Sequence, residues 1–115
     1  MANPISKNIK TGTVGELLVQ LRLLQYDVQS APPLKDSGND LIAVKGNIFK
    51  AIQIKTSTGD RFNLQNLDRI YHILALVHLV GEEDNISLDS SKIFLLSKEE
   101  VTNMSYNVDT LTDKE

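Results

Sequence analysis

The chain contains no cysteine. Disulfides, a thiolate nucleophile and a cysteine-ligated zinc site are all excluded, so stability has to come from a packed core. Long apolar runs are missing too. The most apolar stretch, His72–Val80, falls well short of membrane-spanning length, and Met1-Ala-Asn-Pro-Ile-Ser-Lys7 holds no apolar core of signal-peptide length. The expectation is a soluble, cytoplasmic protein without membrane contact. No internal repeat or low-complexity segment is present. At 115 residues, 41% hydrophobic and 23% charged, the chain suits one domain with a modest core.

An excess of positive charge is also lacking, since the formal net charge is −3. Taken alone this argues mildly against a nucleic-acid partner. The charge is unevenly placed, however. Met1 to His72 carries nine basic and six acidic residues, or +3, while the remainder carries three lysines against nine acids, or −6. A basic first part is compatible with a surface that faces DNA.

The most informative stretch is Asp40-Leu-Ile-Ala-Val-Lys-Gly-Asn-Ile-Phe-Lys-Ala-Ile-Gln-Ile-Lys55. Two short apolar runs flank Gly46-Asn47, a dipeptide suited to a two-residue hairpin turn because glycine takes positive φ freely. With a two-residue loop, Lys45 pairs with Ile48, Val44 with Phe49 and Ile42 with Ala51, and Asp40 lies across from Gln53. Side chains alternate faces along a strand, so Asp40, Gln53 and Lys55 are expected on one face. A carboxylate, an amide and an ammonium then share a patch on an otherwise apolar hairpin.

Before this hairpin, Val14, Leu17, Leu18, Leu21 and Leu24 form an i, i+3, i+4, i+7 stripe, predicting an amphipathic helix over Ser6–Leu24 with Ser6 or Thr13 as N-cap. Tyr26–Ala31 reads as a first strand ended by Pro32-Pro33, and Leu34–Asn39 as a polar loop. Beyond the hairpin, Phe62–Tyr71 is read as a short helix, His72–Val80 as a buried strand with a helix left open by its periodicity, Gly81–Ser91 as an acidic loop and Lys92–Ser97 as a further strand. Ser97-Lys-Glu-Glu100 has the form of a capping box, and the chain past Met104 reads as polar and frayed. This order predicts an α/β fold: a single-domain sandwich over residues 1–115 with a mixed central sheet flanked by helices. Residues 1–25 form the leading helix, 26–97 the sheet core and 102–115 a polar tail.

The patch resembles the active-site hairpin of the PD-(D/E)XK nuclease superfamily, in which an Asp opens one strand and an acidic-or-Gln, any, Lys triplet sits on the next. Here these are Asp40 and Gln53-Ile54-Lys55. The surrounding words Gly15-Glu16-Leu17-Leu18, Gly38-Asn39-Asp40-Leu41-Ile42-Ala43 and Ile52–Ser57 look most like archaeal Holliday-junction resolvases and intron-encoded homing endonucleases. The resemblance runs from Thr11 to Ser57, and the order of elements is that of the same restriction-endonuclease-like core. It implies a Mg²⁺- or Mn²⁺-dependent endonuclease acting on DNA as a homodimer or higher homo-oligomer. Asp40 would be the central metal ligand, joined by Gln53 through its side-chain oxygen, by the Ile54 carbonyl and by Glu16 from the leading helix. Lys55 would orient the water or offset developing charge.

Each residue also has a plainer reading. Asp40 after Gly38-Asn39 fits a turn residue bonded to its own backbone. Thr13-x-x-Glu16 fits a capping box. Lys55 fits a solvated strand residue. Thr56, Ser57, Asp60 and Arg61 are weaker candidates for phosphate or substrate contact, and His72 and His78 read as strand-end or core residues. Gln53 departs from the acidic form of the motif and removes one negative charge. A catalytically silent member of the fold that binds DNA or a protein therefore stands as the alternative.

Overall fold

The computed structural model describes residues 7–33, 40–64, 71–82, 85–102, 104–108 and 111. Helix α1 spans Lys7–Gln25. Thr13 is inside it rather than at its cap, and Ser6 and the Leu34–Asn39 loop lie outside the described residues. The helix closes in a Schellman motif: the Asp27 N–H donates to the Leu24 carbonyl at 3.0 Å and the Val28 N–H to the Leu23 carbonyl at 2.9 Å. Asp27 occupies the left-handed position of that motif, at φ 63°. Tyr26 to Val28 are thus taken up by the helix end, and the first strand, β1, is only Gln29–Ala31.

Next comes the hairpin of β2 (Leu41–Lys45) and β3 (Ile48–Ser57). Its register is the expected one, Lys45 with Ile48, Val44 with Phe49 and Ile42 with Ala51. Gly46 has φ 61° and Asn47 a negative φ, the pattern of a type II′ turn, where only the first central residue needs positive φ. β4 (Arg61–Asn63), β5 (Ile73–Glu82), β6 (Asn85–Ser97) and β7 (Ser105–Asn107) complete the strands. One mixed sheet has the order β1-β2-β3-β5-β6, with β3 and β5 parallel and the other pairs antiparallel; β4 and β7 form a separate ribbon.

Two apolar clusters sandwich the sheet. On one face α1 contributes Leu18 and Val19 against Leu41, Ala43, Ile52, Ile54, Ala75, Val77 and Leu79. On the other, the β4–β7 ribbon brings Phe62 and Tyr106 onto Leu74, Leu76 and Phe94, with Leu64, Tyr71 and Leu111. β5 is buried on both faces, which is why it reads as a continuous apolar run without alternation.

Several expectations are corrected. Phe62 belongs to strand β4 rather than to a helix, while residues 65–70 lie outside the described part. The segment read as an acidic loop is strand from Asn85 onward. Ser91 closes a bulge there, accepting from the Val80 N–H at 3.0 Å and donating to the Ser87 carbonyl at 2.8 Å, so its hydroxyl supplies what the interrupted ladder lacks. The described part of the tail is pinned, not frayed, because Tyr106 and Leu111 insert into the second cluster. The Ser97–Glu100 capping box is present, on a 3-10 turn.

The helix stripe is corrected as well. Leu18 and Val19 face inward, whereas Leu17, Leu21 and Leu24 are 57%, 48% and 61% exposed. Gly15 sets this rotation: a Cβ built there would overlap the Thr56 side chain, so the helix backbone seats directly on β3.

Candidate active site

The cleft lies where β2 begins, beside the C-terminal half of β3 and the N-terminal half of α1. It has a volume of about 420 Å³ and is lined by Thr11, Gly12, Glu16, Asp40, Gln53, Ile54, Lys55 and Thr56. Asp40, Gln53, Lys55, Glu16 and Ile54, the five positions singled out from sequence, therefore converge. Thr11 and Gly12 are additions. The available signal was helical period, since Gly12 sits one turn before Glu16.

Local geometry explains the convergence. The Asp40 N–H donates to the Ile52 carbonyl at 3.0 Å, extending the hairpin ladder by one residue. Its carboxylate then reaches across to β3. Oδ2 accepts from the Ile54 N–H at 2.8 Å and from Gln53 Nε2 at 3.2 Å. Both donors belong to the neighbouring strand, not to a local turn around Asp40. The N–H and C=O of one strand residue point to the same side, so the Ile54 carbonyl also faces the β2 side of β3, past the start of β2.

Gln53 is the most telling side chain. Its amide has to present Nε2 to the carboxylate, because the reverse orientation would set two acceptors face to face. That leaves Oε1 buried with no hydrogen-bond partner among the described residues. An orphaned buried carbonyl is costly, on the order of 1–3 kcal/mol. A hard cation is one partner that would satisfy it, and a bare Mg²⁺ ion is smaller than the water from which the oxygen is sheltered. Two carboxylates, an amide oxygen and a backbone carbonyl form an all-oxygen donor set that fits such an ion. Among the described residues no group of three or more His, Cys, Asp or Glu gathers, in this cleft or elsewhere.

Glu16 lies well inside α1, nine residues past its first residue, so it caps nothing. Its carboxyl is held above the ordinary carboxylate range, first by partial burial and second by the nearby Asp40 charge. A raised folded value means that folding favours the protonated form. Stability from this group is present at acid pH and falls as pH rises through that value. Glu16→Gln is therefore expected to raise the thermal midpoint of the metal-free protein at neutral pH, and the gain should vanish near pH 4. An advantage that persists unchanged in acid would show that charge is not its cause.

Gly15→Ala tests the seat of the helix. Alanine improves helix propensity by about 1 kcal/mol, but overpacking against Thr56 costs roughly 1–3 kcal/mol. A net loss is expected in urea denaturation, recovered by adding Thr56→Ala, which removes the side-chain atoms the new methyl would overlap. The histidines lie outside the cleft lining. His72 ties the start of β5 to β3, accepting from the Ala51 N–H through Nδ1 at 2.9 Å and donating its own N–H to the Ala51 carbonyl at 2.8 Å. His78 is a half-buried strand residue.

The chain is a mixed sheet with one helix packed on it and a hairpin opening into a polar cleft. The fold is similar to that of a bacterial homing endonuclease, I-Ssp6803I, with a TM-score of 0.59 and 12% identity over 84% of this chain and 74% of that one. At that identity the likeness establishes the fold. No family model matches the chain, and no curated protein matches it. Among the described residues no helix is long and apolar enough to cross a membrane.

Proposed function

We propose that the protein is a metal-dependent endonuclease that hydrolyses DNA phosphodiester bonds with Mg²⁺ or Mn²⁺, in the resolvase-like and homing-endonuclease-like branch of the PD-(D/E)XK superfamily. The observation that carries this reading is the buried Gln53 Oε1, without a hydrogen-bond partner among the described residues, beside the Asp40 carboxylate. The nuclease-like fold supports it. When bound, the cation supplies Lewis acidity toward the phosphate and acidifies its water. Asp40, Gln53 Oε1, Glu16 and the Ile54 carbonyl would hold it. Lys55 extends from β3 into the same cleft, where its ammonium would orient the nucleophilic water and offset charge on the scissile phosphate. Cutting two strands calls for two such sites, hence a homodimer or higher homo-oligomer.

The neutral amide at Gln53 favours a second reading, a silent nuclease fold that binds DNA or a protein partner. Incubation with supercoiled plasmid separates the two. The nuclease reading expects nicking in Mg²⁺ or Mn²⁺, abolished by EDTA and by Lys55→Ala. Binding without cleavage, indifferent to EDTA, would establish the silent binder.

A further inference from the structure

We infer that the outward face of α1, carrying Leu17, Leu21 and Leu24, is the surface on which a second copy of this chain docks, helix against helix. Three observations carry it. The first is the mismatch between pattern and burial. These leucines are among the apolar residues of the helix, yet about half or more of each is exposed, because the seat of Gly15 on Thr56 turns the Leu18–Val19 side inward. α1 thus has two apolar faces, and the sheet covers only one.

The second is spacing. Positions 17, 21 and 24 are separated by four and then three residues, the alternation of a heptad seam, in which knobs of one helix enter holes of another. That pattern asks for a helix as its partner, and α1 itself supplies a matching one.

The third is charge. The groove of about 540 Å³ beside this seam is lined by Leu17, Gln20, Leu21, Leu24, Val28, Gln29 and Ser30, with no ionisable side chain. In an isologous contact every group meets its own kind or a near neighbour. Leucines and amides tolerate that, since an amide both donates and accepts. The grooves along Leu23 and Leu95 would not tolerate it: one is lined by Ile48 with Lys45 and Lys50, the other by Val19 and Ile93 with Arg22, so self-pairing there would crowd like charges.

The seam is narrow relative to the roughly 800 Å² per partner of a standard interface. A reversible dimer with a dissociation constant on the order of micromolar is expected. Its purpose rests on the nuclease reading, where pairing supplies the second site. The helix-to-helix contact itself does not.

The test is sedimentation equilibrium of the full chain without DNA or divalent metal. Wild type is expected to dimerise, and the triple variant Leu17→Gln, Leu21→Gln, Leu24→Gln to be monomeric with unchanged circular dichroism. Because the chain has no cysteine of its own, single substitutions Leu17→Cys, Leu21→Cys and Leu24→Cys report contact directly. At least one should form a disulfide dimer on mild oxidation, while Leu95→Cys should not. A wild type that stays monomeric well above micromolar concentration overturns the inference, as does a triple variant that still dimerises. Asp40→Ala should dimerise like wild type. A monomer that nicks plasmid would sink the interface and leave the nuclease, whereas a seam-dependent dimer that cuts nothing would do the reverse.

Discussion

Asp40→Ala is expected to lower Mg²⁺-dependent plasmid cleavage by about three orders of magnitude or more, equivalent to at least about 4 kcal/mol of transition-state stabilisation. Two losses combine. The carboxylate that would anchor the cation disappears, and Gln53 Nε2 and the Ile54 N–H lose their shared acceptor at 3.2 and 2.8 Å. The amide of Gln53 is then free to turn, so the second donor is misplaced along with the first. Asp40→Asn separates the effects. Its amide oxygen can still accept from the Ile54 N–H and hold the strands, but its charge is gone. Cleavage should fall nearly as far while the thermal midpoint changes little. If either variant cleaves within about tenfold of wild type while remaining folded, Asp40 is not the centre of a metal site.

Leu74→Ala is expected to destabilise the fold by about 3–4 kcal/mol, a large share of the roughly 5–15 kcal/mol available to a domain. Leu74 is fully buried on β5, with β3 on one side and β6 on the other, and packs into the cluster beneath the β4–β7 ribbon. Neighbouring elements converge on it from the ribbon and both strands, so the cavity has little freedom to collapse. At about 4–8 °C per kcal/mol for a domain near 100 residues, the melting temperature should drop by more than about 10 °C. Leu74 is also the in-register partner of Gln53 across the parallel pair, so cleavage measured well below the transition should fall too. Leu95→Ala, on the next strand but 54% exposed, should move stability by less than about 1 kcal/mol. Equal losses from both substitutions would mean that the sheet does not pack as described.

The candidate site was legible because its parts are close in sequence. The sixteen positions from Asp40 to Lys55 contain the turn and the paired parts of both strands, and strand alternation about a two-residue Gly46-Asn47 turn leaves one register and one face. β5 was legible from apolar composition alone, and the Ser97–Glu100 cap from its spacing. Other features were decided at a distance. Phe62 is more than forty positions from Tyr106 and Leu111, and nothing near Tyr106 in the sequence announces its strand partner. The Asn85–Ser91 segment looks like a loop by polarity, yet it pairs because β5 continues beyond Val80 and offers it a ladder.

What the amino-acid sequence determined unaided was the local chemistry: the hairpin, its register, and a carboxylate, an amide and an amine on one face, since these follow from φ/ψ preference and period-two geometry over a short span. Tertiary structure alone decided how α1 is turned, and therefore that Glu16 enters the cleft and that three leucines face outward. Helical period defines an apolar arc but not which part of it meets the sheet. That choice was made by one close approach, Gly15 on Thr56, between residues forty-one positions apart.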